Sequence, residues 1–339
     1  MKWLSLIFLL LLFASGCTGK TEEIPAENAI AELFSTEIGG MQQWTLIRGE
    51  NKDNPVLLWL HGGPGSAQMP IHHAYTKDLE KEFIVVHWDQ RGAGKSNTSE
   101  FREETMTLDR FINDTHELTT FLKKRFDQEK IYLLGHSWGT LLGINVVSRY
   151  PDDFHAFISV SQVIDPASAD SIAWNWLQKK VMESVSQDDM RTFENLGNPP
   201  FDEHTRFVKF IHMIDAYGGG MDASFIELLW KSLGASEYTV MDYFRWFEGA
   251  NRGSGSMWEE TRNVNLFSTI DTLQIPVYFF TGTKDYNTPS QLARQYYELL
   301  TAPAGKYLVT FNKSAHTPFI AEPRKFNREI VRVKKQVEE

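Results

Sequence analysis

The distribution of apolar residues along the chain predicts a largely parallel β-sheet. Several short apolar runs are each followed by a turn rich in glycine or polar residues. Runs in which nearly every position is apolar are typical of strands buried on both faces, as in a parallel sheet covered by helices. The predicted strands are residues 56–60, 83–88, 131–134, 154–160, 277–280 and 307–311.

Helical patterns lie between these runs. Apolar residues recur on one helix face from Leu108 to Phe126, and residues 140–147 continue as a helix directly after the turn that follows the third run. A helix between two parallel strands supplies the crossover that their connection requires. We therefore predict an α/β fold.

The strand pattern stops after about Ser161 and resumes at Ile275. The chain between them favours helix, is rich in aromatic residues and is interrupted by turns such as Gly218-Gly219-Gly220. We predict a helical cap over residues 162–267, inserted into a core formed by residues 35–161 and 268–339. A chain of 339 residues has room for one large domain with such an insertion.

Residues 1–17 are typical of a secretory signal. Met1-Lys2 precedes an apolar run that ends at Phe13, and Ala14-Ser15-Gly16 stands directly before Cys17. The small residues before a cysteine resemble a bacterial lipoprotein signal, in which Cys17 carries a lipid that anchors the protein in the membrane of the cell envelope. Plain secretion and an uncleaved anchor are the alternatives, and all three predict an extracytoplasmic protein. Residues 18–34 are predicted to form a flexible tether.

Composition excludes some classes of function. The net charge of −10 argues against nucleic acid as the partner, because nothing in the sequence resembles a basic footprint, and a single cysteine excludes an intrachain disulfide. No histidine pair has metal-ligand spacing, so we expect no metal and no cofactor. Gly94-Lys95-Ser96 lacks the earlier glycine of a phosphate-binding loop, because Asp89 occupies that position. We interpret this segment as a turn in which Asp89 pairs with Arg91.

Gly135-His136-Ser137-Trp138-Gly139 has the spacing of a nucleophile elbow. The motif follows a predicted strand and opens a predicted helix, which is the context that it requires. Glycines on both sides leave room for a tight turn, so that the hydroxyl of Ser137 projects above the sheet. We predict that Ser137 is a catalytic nucleophile; an incidental turn serine is the alternative.

A serine hydroxyl needs a general base that accepts its proton. His316 lies in a loop after the last predicted strand, and Asp285 follows the strand before it. The order Ser, Asp, His along the chain is that of the α/β-hydrolases. We predict that His316 is the base and that Asp285 orients its ring and stabilises the imidazolium.

An oxyanion hole requires two backbone amides near the nucleophile. The amide of Trp138 follows Ser137 directly. His61-Gly62-Gly63-Pro64-Gly65 follows the first predicted strand, and its glycines allow close approach to a substrate. We predict that the amides of Gly63 and Trp138 bind the oxyanion; a simple turn is the alternative for the glycine-rich segment.

Three motifs together resemble the proline iminopeptidase family of α/β-hydrolases: His61 to Gly65, Asp89-Gln90-Arg91-Gly92-Ala93-Gly94-Lys95-Ser96, and Gly135 to Gly139. The resemblance covers roughly residues 35–160 and 270–325. It implies an α/β-hydrolase fold with a mostly parallel, eight-stranded sheet and a helical cap inserted after the sixth strand. It also implies release of N-terminal residues from short peptides through an acyl-enzyme.

In peptidases of this family, carboxylates of the cap hold the free α-amino group of the substrate. The segment Trp246-Phe247-Glu248-Gly249-Ala250 is similar to a cap segment that supplies one of them, so Glu248 is the first candidate and Glu259 the second; each is equally consistent with a surface glutamate. Peptidases of the family often have glycine where His136 stands. An esterase or amidase acting on small acyl substrates, and a non-catalytic binding lipoprotein, are therefore the alternative functions.

Overall fold

The computed structural model describes residues 19–339, so the predicted signal peptide and Cys17 lie outside the described residues. The strands form one eight-stranded sheet in the order β1-β2-β4-β3-β5-β6-β7-β8. β1 and β2 pair antiparallel with each other, β2 pairs antiparallel with β4, and the pairs from β4 to β8 are parallel. The strands are β1 Ile30–Ile38, β2 Met41–Gly49, β3 Val56–Leu60, β4 Ile84–Asp89, β5 Ile131–His136, β6 Phe154–Val160, β7 Val277–Gly282 and β8 Lys306–Phe311.

Within the described residues, nine helices have at least eight residues. They are α1 Leu108–Phe126, α2 Trp138–Arg149, α3 Pro166–Ser184, α4 Gln187–Leu196, α5 His204–Ala216, α6 Phe225–Ser232, α7 Val240–Ser256, α8 Ser290–Leu299 and α9 Pro323–Glu338. Shorter α-helices span His72–Tyr75, Trp258–Arg262, Leu266–Thr269 and Pro318–Ala321. No helix in residues 19–339 combines the length and the apolar character needed to cross a bilayer.

The predicted fold class is confirmed, since the sheet is mostly parallel and helices cover both of its faces. Alternate residues of the central strands contribute to opposite sides of the core. Leu58, Val86 and Leu133 pack in one apolar cluster with residues of α1 and α2. Their neighbours Leu57, Val85 and Leu134 pack in a second cluster with residues of α9. Burial on both faces explains why these strands are nearly continuous apolar runs.

The tether predicted for residues 18–34 is wrong where the structure describes it. Residues 30–34 lie in β1, which pairs with β2 along its whole length. Residues 20 and 21 are held by the cap, because the Lys20 amide donates to the Ser236 carbonyl at 3.1 Å and the Thr21 hydroxyl donates to Glu237 Oε1 at 2.8 Å. The polar composition of this segment therefore reflects an edge strand and surface hydrogen bonds.

The predicted pairing of Asp89 with Arg91 is also wrong, although both side chains are buried. Arg91 binds the carboxylate of Asp114 on α1, with Nη2 at 2.8 Å from Oδ2. Asp89 accepts hydrogen bonds from the Lys95 amide and from the hydroxyl of Tyr238, a residue of the cap. Burial raises the pKa of Asp89 to about 7. This turn therefore joins the core to the cap.

The chain between β6 and β7 contains α3 to α7, and α7 packs directly on backbone of the core. A Cβ atom added at Gly253 would lie 2.5 Å from the Pro64 carbonyl oxygen, and one at Gly249 would lie 2.5 Å from the Gly92 carbonyl oxygen. A real Cβ atom does not come so close to another atom, so these glycines allow α7 to contact the glycine-rich segment after β3 and the turn after β4. The cap thus lies directly against the predicted oxyanion loop.

Candidate active site

The turn from β5 to α2 has the geometry that the elbow motif predicts. Ser137 has φ +54° and ψ −122°, a backbone conformation that is costly for a residue with a side chain. A Cβ atom at Gly135 would lie 2.2 Å from the Gly139 carbonyl oxygen, and one at Gly139 would lie 2.2 Å from the Leu60 carbonyl oxygen. Glycine is therefore required on both sides of Ser137.

Ser137 is held through its backbone. Its amide donates to the Val160 carbonyl at 3.0 Å, and its carbonyl accepts from the amide and hydroxyl of Thr140 at 2.7 and 2.6 Å. The side chain lines a cavity of about 310 Å³ between the core and the cap, which His316 also lines. This volume is in the range of sites for small molecules.

Asp285 and His316 form a buried pair. His316 Nδ1 lies 2.9 Å from Asp285 Oδ2, and the second carboxylate oxygen, Oδ1, accepts from the amides of Asn287 and Thr288. A carboxylate at Nδ1 favours the tautomer with the proton on that nitrogen, which leaves Nε2 free to accept a proton. Burial alone would lower the pKa of His316, but the negative charge and hydrogen bond of Asp285, together with the charges of Asp215 and Asp222, outweigh burial and raise it.

The core fixes the backbone of His316 through two side chains. The His316 carbonyl accepts from the Ser161 hydroxyl at 2.9 Å and from His136 Nε2 at 3.0 Å. The other ring nitrogen of His136 lies 2.8 Å from Nε2 of Gln68, whose amide donates to it. Burial lowers the pKa of His136 to about 3, so its ring stays neutral and keeps this tautomer. His136 is thus a structural part of the site.

The cap fixes the same loop from the other side. The Gly220 carbonyl accepts from the His316 amide at 2.9 Å. The carboxylate of Asp222 accepts from the Ala315 and Thr317 amides at 2.7 and 2.8 Å, and from the hydroxyls of Ser314 and Thr317 at 2.8 and 3.0 Å. Sequence reasoning missed Asp222, because it lies in a loop between α5 and α6 with no motif around it.

The two predicted oxyanion donors also lie at the cavity. Gly63 and Trp138 both line it together with Ser137. Gly63 has φ +113°, which favours glycine, and a Cβ atom there would lie 2.7 Å from the Ser66 amide nitrogen. Trp138 is the first residue of α2, where backbone amides have no partner within the helix and the helix dipole is positive. The arrangement suits a developing negative charge above Ser137.

The structure does not bring the two predicted cap glutamates to this cavity. Glu248 has 57% of its side chain exposed and pairs with Arg252 one turn further along α7, while its other oxygen accepts from the Asn97 amide. Glu259 has 74% of its side chain exposed and lies 3.6 Å from Arg262. Both predictions are wrong as to position, since these glutamates form surface ion pairs within their own helices.

Two other carboxylates of the cap line the cavity, Asp170 on α3 and Asp215 on α5. Burial, with a smaller contribution from the nearby Asp165 carboxylate, raises the pKa of Asp170 to about 7. Burial also raises the pKa of Asp215, whose Oδ1 accepts from the Met221 amide at 2.8 Å. Sequence reasoning missed both carboxylates, because each lies within a helix of the insertion and no motif surrounds it.

The other walls of the cavity are mainly apolar, and they come from both the core and the cap. Val163, Ile164, Val208, Ile211 and Leu292 are among them. Within residues 19–339, no cluster of three or more histidine, cysteine or acidic side chains could hold a metal ion. The cavity therefore combines the Ser137 hydroxyl, the His316 imidazole, backbone amides and two carboxylates with an apolar surface, and His212 and Arg262 also line it.

The fold and this site define an α/β-hydrolase. The chain matches the alpha/beta hydrolase fold family over residues 55–323, and it belongs to that family. It is similar to a protein of Bacillus subtilis (strain 168) named "Probable aminopeptidase YbaC", with 32% identity over 313 residues that cover 91% of this chain and 98% of the relative. It also matches a proline iminopeptidase of Heyndrickxia coagulans, with 26% identity over 87% of this chain and 95% of that enzyme.

A solved structure supports the same fold. A proline iminopeptidase-related protein of Thermus thermophilus superposes with a TM-score of 0.62 at 18% identity, covering 90% of this chain and 97% of that one. The resemblance to the proline iminopeptidase family is therefore confirmed, and the chain is a hydrolase related to aminopeptidases.

Replacing Asp222 by asparagine tests the role of the cap in holding His316. The side-chain amide of asparagine has one acceptor oxygen and cannot accept from all the donors of residues 314–317, so this loop shifts. We therefore expect kcat to fall about 10- to 100-fold with little change in KM. Steady-state kinetics on one substrate measures both constants. Asp189→Asn is the matched control, because this cap carboxylate accepts from the Tyr217 hydroxyl and does not touch residues 314–317. An equal loss of kcat in both variants would contradict the assignment.

Proposed function

We propose that this chain is an extracytoplasmic serine aminopeptidase of the proline iminopeptidase type, which releases N-terminal residues from short peptides. The observation that carries the proposal is the single cavity that contains Ser137, His316 and two cap carboxylates. Ser137 and His316 suit acyl transfer, and the two carboxylates suit binding of a free ammonium group. The similarity to proteins named as aminopeptidases supports the same activity.

The proposed reaction proceeds in two halves. His316 Nε2 takes the proton of the Ser137 hydroxyl, and the oxygen attacks the carbonyl carbon of the first peptide bond. The amides of Gly63 and Trp138 stabilise the resulting oxyanion. The imidazolium then gives its proton to the leaving amine, the C–N bond breaks, and an acyl-enzyme forms. Water, activated by His316, hydrolyses this ester and restores the serine.

Asp170 and Asp215 are the proposed ligands of the substrate's α-amino group, in place of Glu248 and Glu259. Both are half-buried, so an ammonium ion that enters the cavity meets less competition from water than it would at an open surface. An ammonium ion beside Asp170 also favours its ionised form over the neutral one. The apolar walls would then contact the side chain of the N-terminal residue. A single-residue subsite closed by these carboxylates fits release of one residue at a time.

A second candidate is an esterase or amidase acting on small acyl substrates. The mainly apolar walls of the cavity favour it, since they would bind an acyl chain without any amine. The two candidates differ in whether Asp170 and Asp215 contribute to substrate binding. Aminoacyl anilides, including the prolyl compound, compared with simple acyl esters separate them directly.

The proposed location rests on the sequence of residues 1–17, whose pattern is similar to a lipoprotein signal. In this proposal Cys17 carries the lipid and the catalytic domain faces away from the cytoplasm. Short peptides in the cell envelope would then be the substrates.

An active-site-directed fluorophosphonate is expected to label the wild type and not Ser137→Ala, because only an activated serine attacks phosphorus. Aminopeptidase activity is expected to fall about 10⁴-fold or more in the same variant. Ser66→Ala is the matched control, since Ser66 lines the same cavity and has no base assigned to it. Labelling of Ser137→Ala at the wild-type rate would refute Ser137 as the nucleophile, and absence of labelling in the wild type would favour a binding lipoprotein.

The pH dependence of kcat/KM is expected to differ between substrate classes. The raised pKa of His316 means that imidazolium persists above the ordinary value of 6.5, so activity on every substrate falls as pH drops through this higher pKa. Below about pH 7 Asp170 also becomes neutral. Above about pH 8 the α-amino group loses its proton. Aminoacyl anilides should therefore give a bell-shaped profile, and acyl esters should lack the alkaline limb. Identical profiles would contradict amine recognition.

Asp170→Asn is expected to raise KM for aminoacyl anilides about 10- to 100-fold, because a hydrogen bond to a charged group is lost. KM for acyl esters should change little. Glu248→Gln is the matched control and should leave both substrates unaffected, since Glu248 lies outside the cavity. Steady-state kinetics of the wild type and the two variants on both substrate classes decides the matter: an unchanged KM for anilides in Asp170→Asn would exclude this residue as an amine ligand.

A further inference from the structure

The cap exposes a group of large apolar side chains on two neighbouring helices. α6 has the sequence FIELLWKS, and Ser232 is its one buried residue. A helix that is apolar on most sides is normally covered by other protein, so its exposure requires an explanation. The exposed large apolar residues of α6 and of the first turns of α7 are Phe225, Ile226, Trp230, Val240, Met241 and Phe244, which we name the cap apolar face.

The two helices form one unit. Phe225 of α6 contacts Phe247 of α7 with 5.6 Å between ring centroids, and the Tyr243 hydroxyl on α7 donates to the Ser232 carbonyl at the end of α6. These contacts lie at opposite ends of α6. The cap apolar face is therefore carried by a fixed helix pair, and its residues do not depend on a mobile loop for their exposure.

The N-terminal chain reaches this helix pair at a defined point. A Cβ atom at Gly19 would lie 3.1 Å from Cγ2 of Thr239, and Thr239 is the residue that caps α7 directly before Val240 and Met241. The next residue, Lys20, donates its amide to the Ser236 carbonyl, and Arg48 donates to the Glu22 carbonyl at 2.7 Å. Residues 19 and 20 thus lie beside the start of α7, and the chain that follows is held by β2.

Cys17 is two residues before Gly19. Two residues span at most about 7 Å, so a lipid on Cys17 would enter the bilayer next to the first turn of α7. A bilayer that holds this lipid must therefore pass close to Val240 and Met241. Apolar helix surfaces at such a boundary insert roughly 5 to 10 Å into the headgroup region, and tryptophan is favoured there.

We propose that the cap apolar face lies on the phospholipid bilayer and fixes the orientation of the enzyme relative to it. The proposal rests on the lipid anchor at Cys17 that forms part of the proposed function. Two observations support it: the exposed apolar side chains of α6 and α7, and the contacts that hold the chain after Gly19 against the protein. The short chain between Cys17 and Gly19 then acts as a close attachment, and the cap faces the membrane.

The sequence allows a direct test, because Cys17 is the single cysteine of the chain and a thioether-linked lipid leaves it without a thiol. Met241→Cys introduces one labelling site on the cap apolar face, where 58% of the residue is exposed. Leu299→Cys is the matched control, with 68% exposure at the end of α8, the helix between β7 and the far edge strand β8. Each full-length, membrane-extracted variant carries a nitrobenzoxadiazole label and is reconstituted into vesicles of phosphatidylethanolamine and phosphatidylglycerol.

Nitroxide groups on the lipid acyl chains are expected to quench the label at position 241 at least about threefold more strongly than the label at position 299, because only the first lies at the bilayer surface. Equal quenching at both positions would overturn the proposal. Labelling of the wild type would also overturn it, since a free thiol at Cys17 removes the anchor on which the geometry depends. Turnover of aminoacyl anilides is measured on the same samples, so failure of the enzymatic function is seen independently of the label.

Discussion

The catalytic arrangement depends on holding one loop, residues 314–317, at a fixed height above the carboxyl edge of the sheet. His316 and Ser137 lie on different elements, so only noncovalent contacts set the distance between them. Asp285 holds the ring, while His136 and Ser161 hold the carbonyl of His316 from the core. Gly220 and Asp222 hold the backbone from the cap. The cap therefore contributes to the position of the base as well as to the walls of the cavity.

Much of the core could be predicted from the sequence, and the reason is burial. β3 to β7 are nearly continuous apolar runs because helices cover both faces, and the residues after β5, β7 and β8 include Ser137, Asp285 and His316. β1 and β2 gave no such signal. They form an edge of the sheet, and β2 places the polar residues Gln43, Thr45 and Arg48 in buried positions. A search for apolar runs cannot find a strand of that kind.

The cap carboxylates could not be predicted from the sequence. The carboxyl ends of parallel strands all lie at one edge of the sheet, where the site is expected, whereas the helices of an inserted domain share no such common position. A short local similarity selected Glu248, which faces solvent on α7 beside Arg252. Asp170 and Asp222 reach the site through the tertiary arrangement of α3 and of the loop before α6. Asp89 and Arg91 illustrate the same difficulty. They are two residues apart in the sequence, but Arg91 pairs with Asp114 on α1 and Asp89 accepts from the hydroxyl of Tyr238 in the cap.

The cap leaves the core after β6 and returns before β7, and these two strands are neighbours in the sheet. The whole insertion is therefore attached at two points that are already held side by side by strand hydrogen bonds. Its sequence and length can change over evolution without altering the register of a single core strand. An exchange of caps among members of the family would then alter which acyl groups are accepted, as long as each new cap kept the contacts that Gly220 and Asp222 make with the loop of His316.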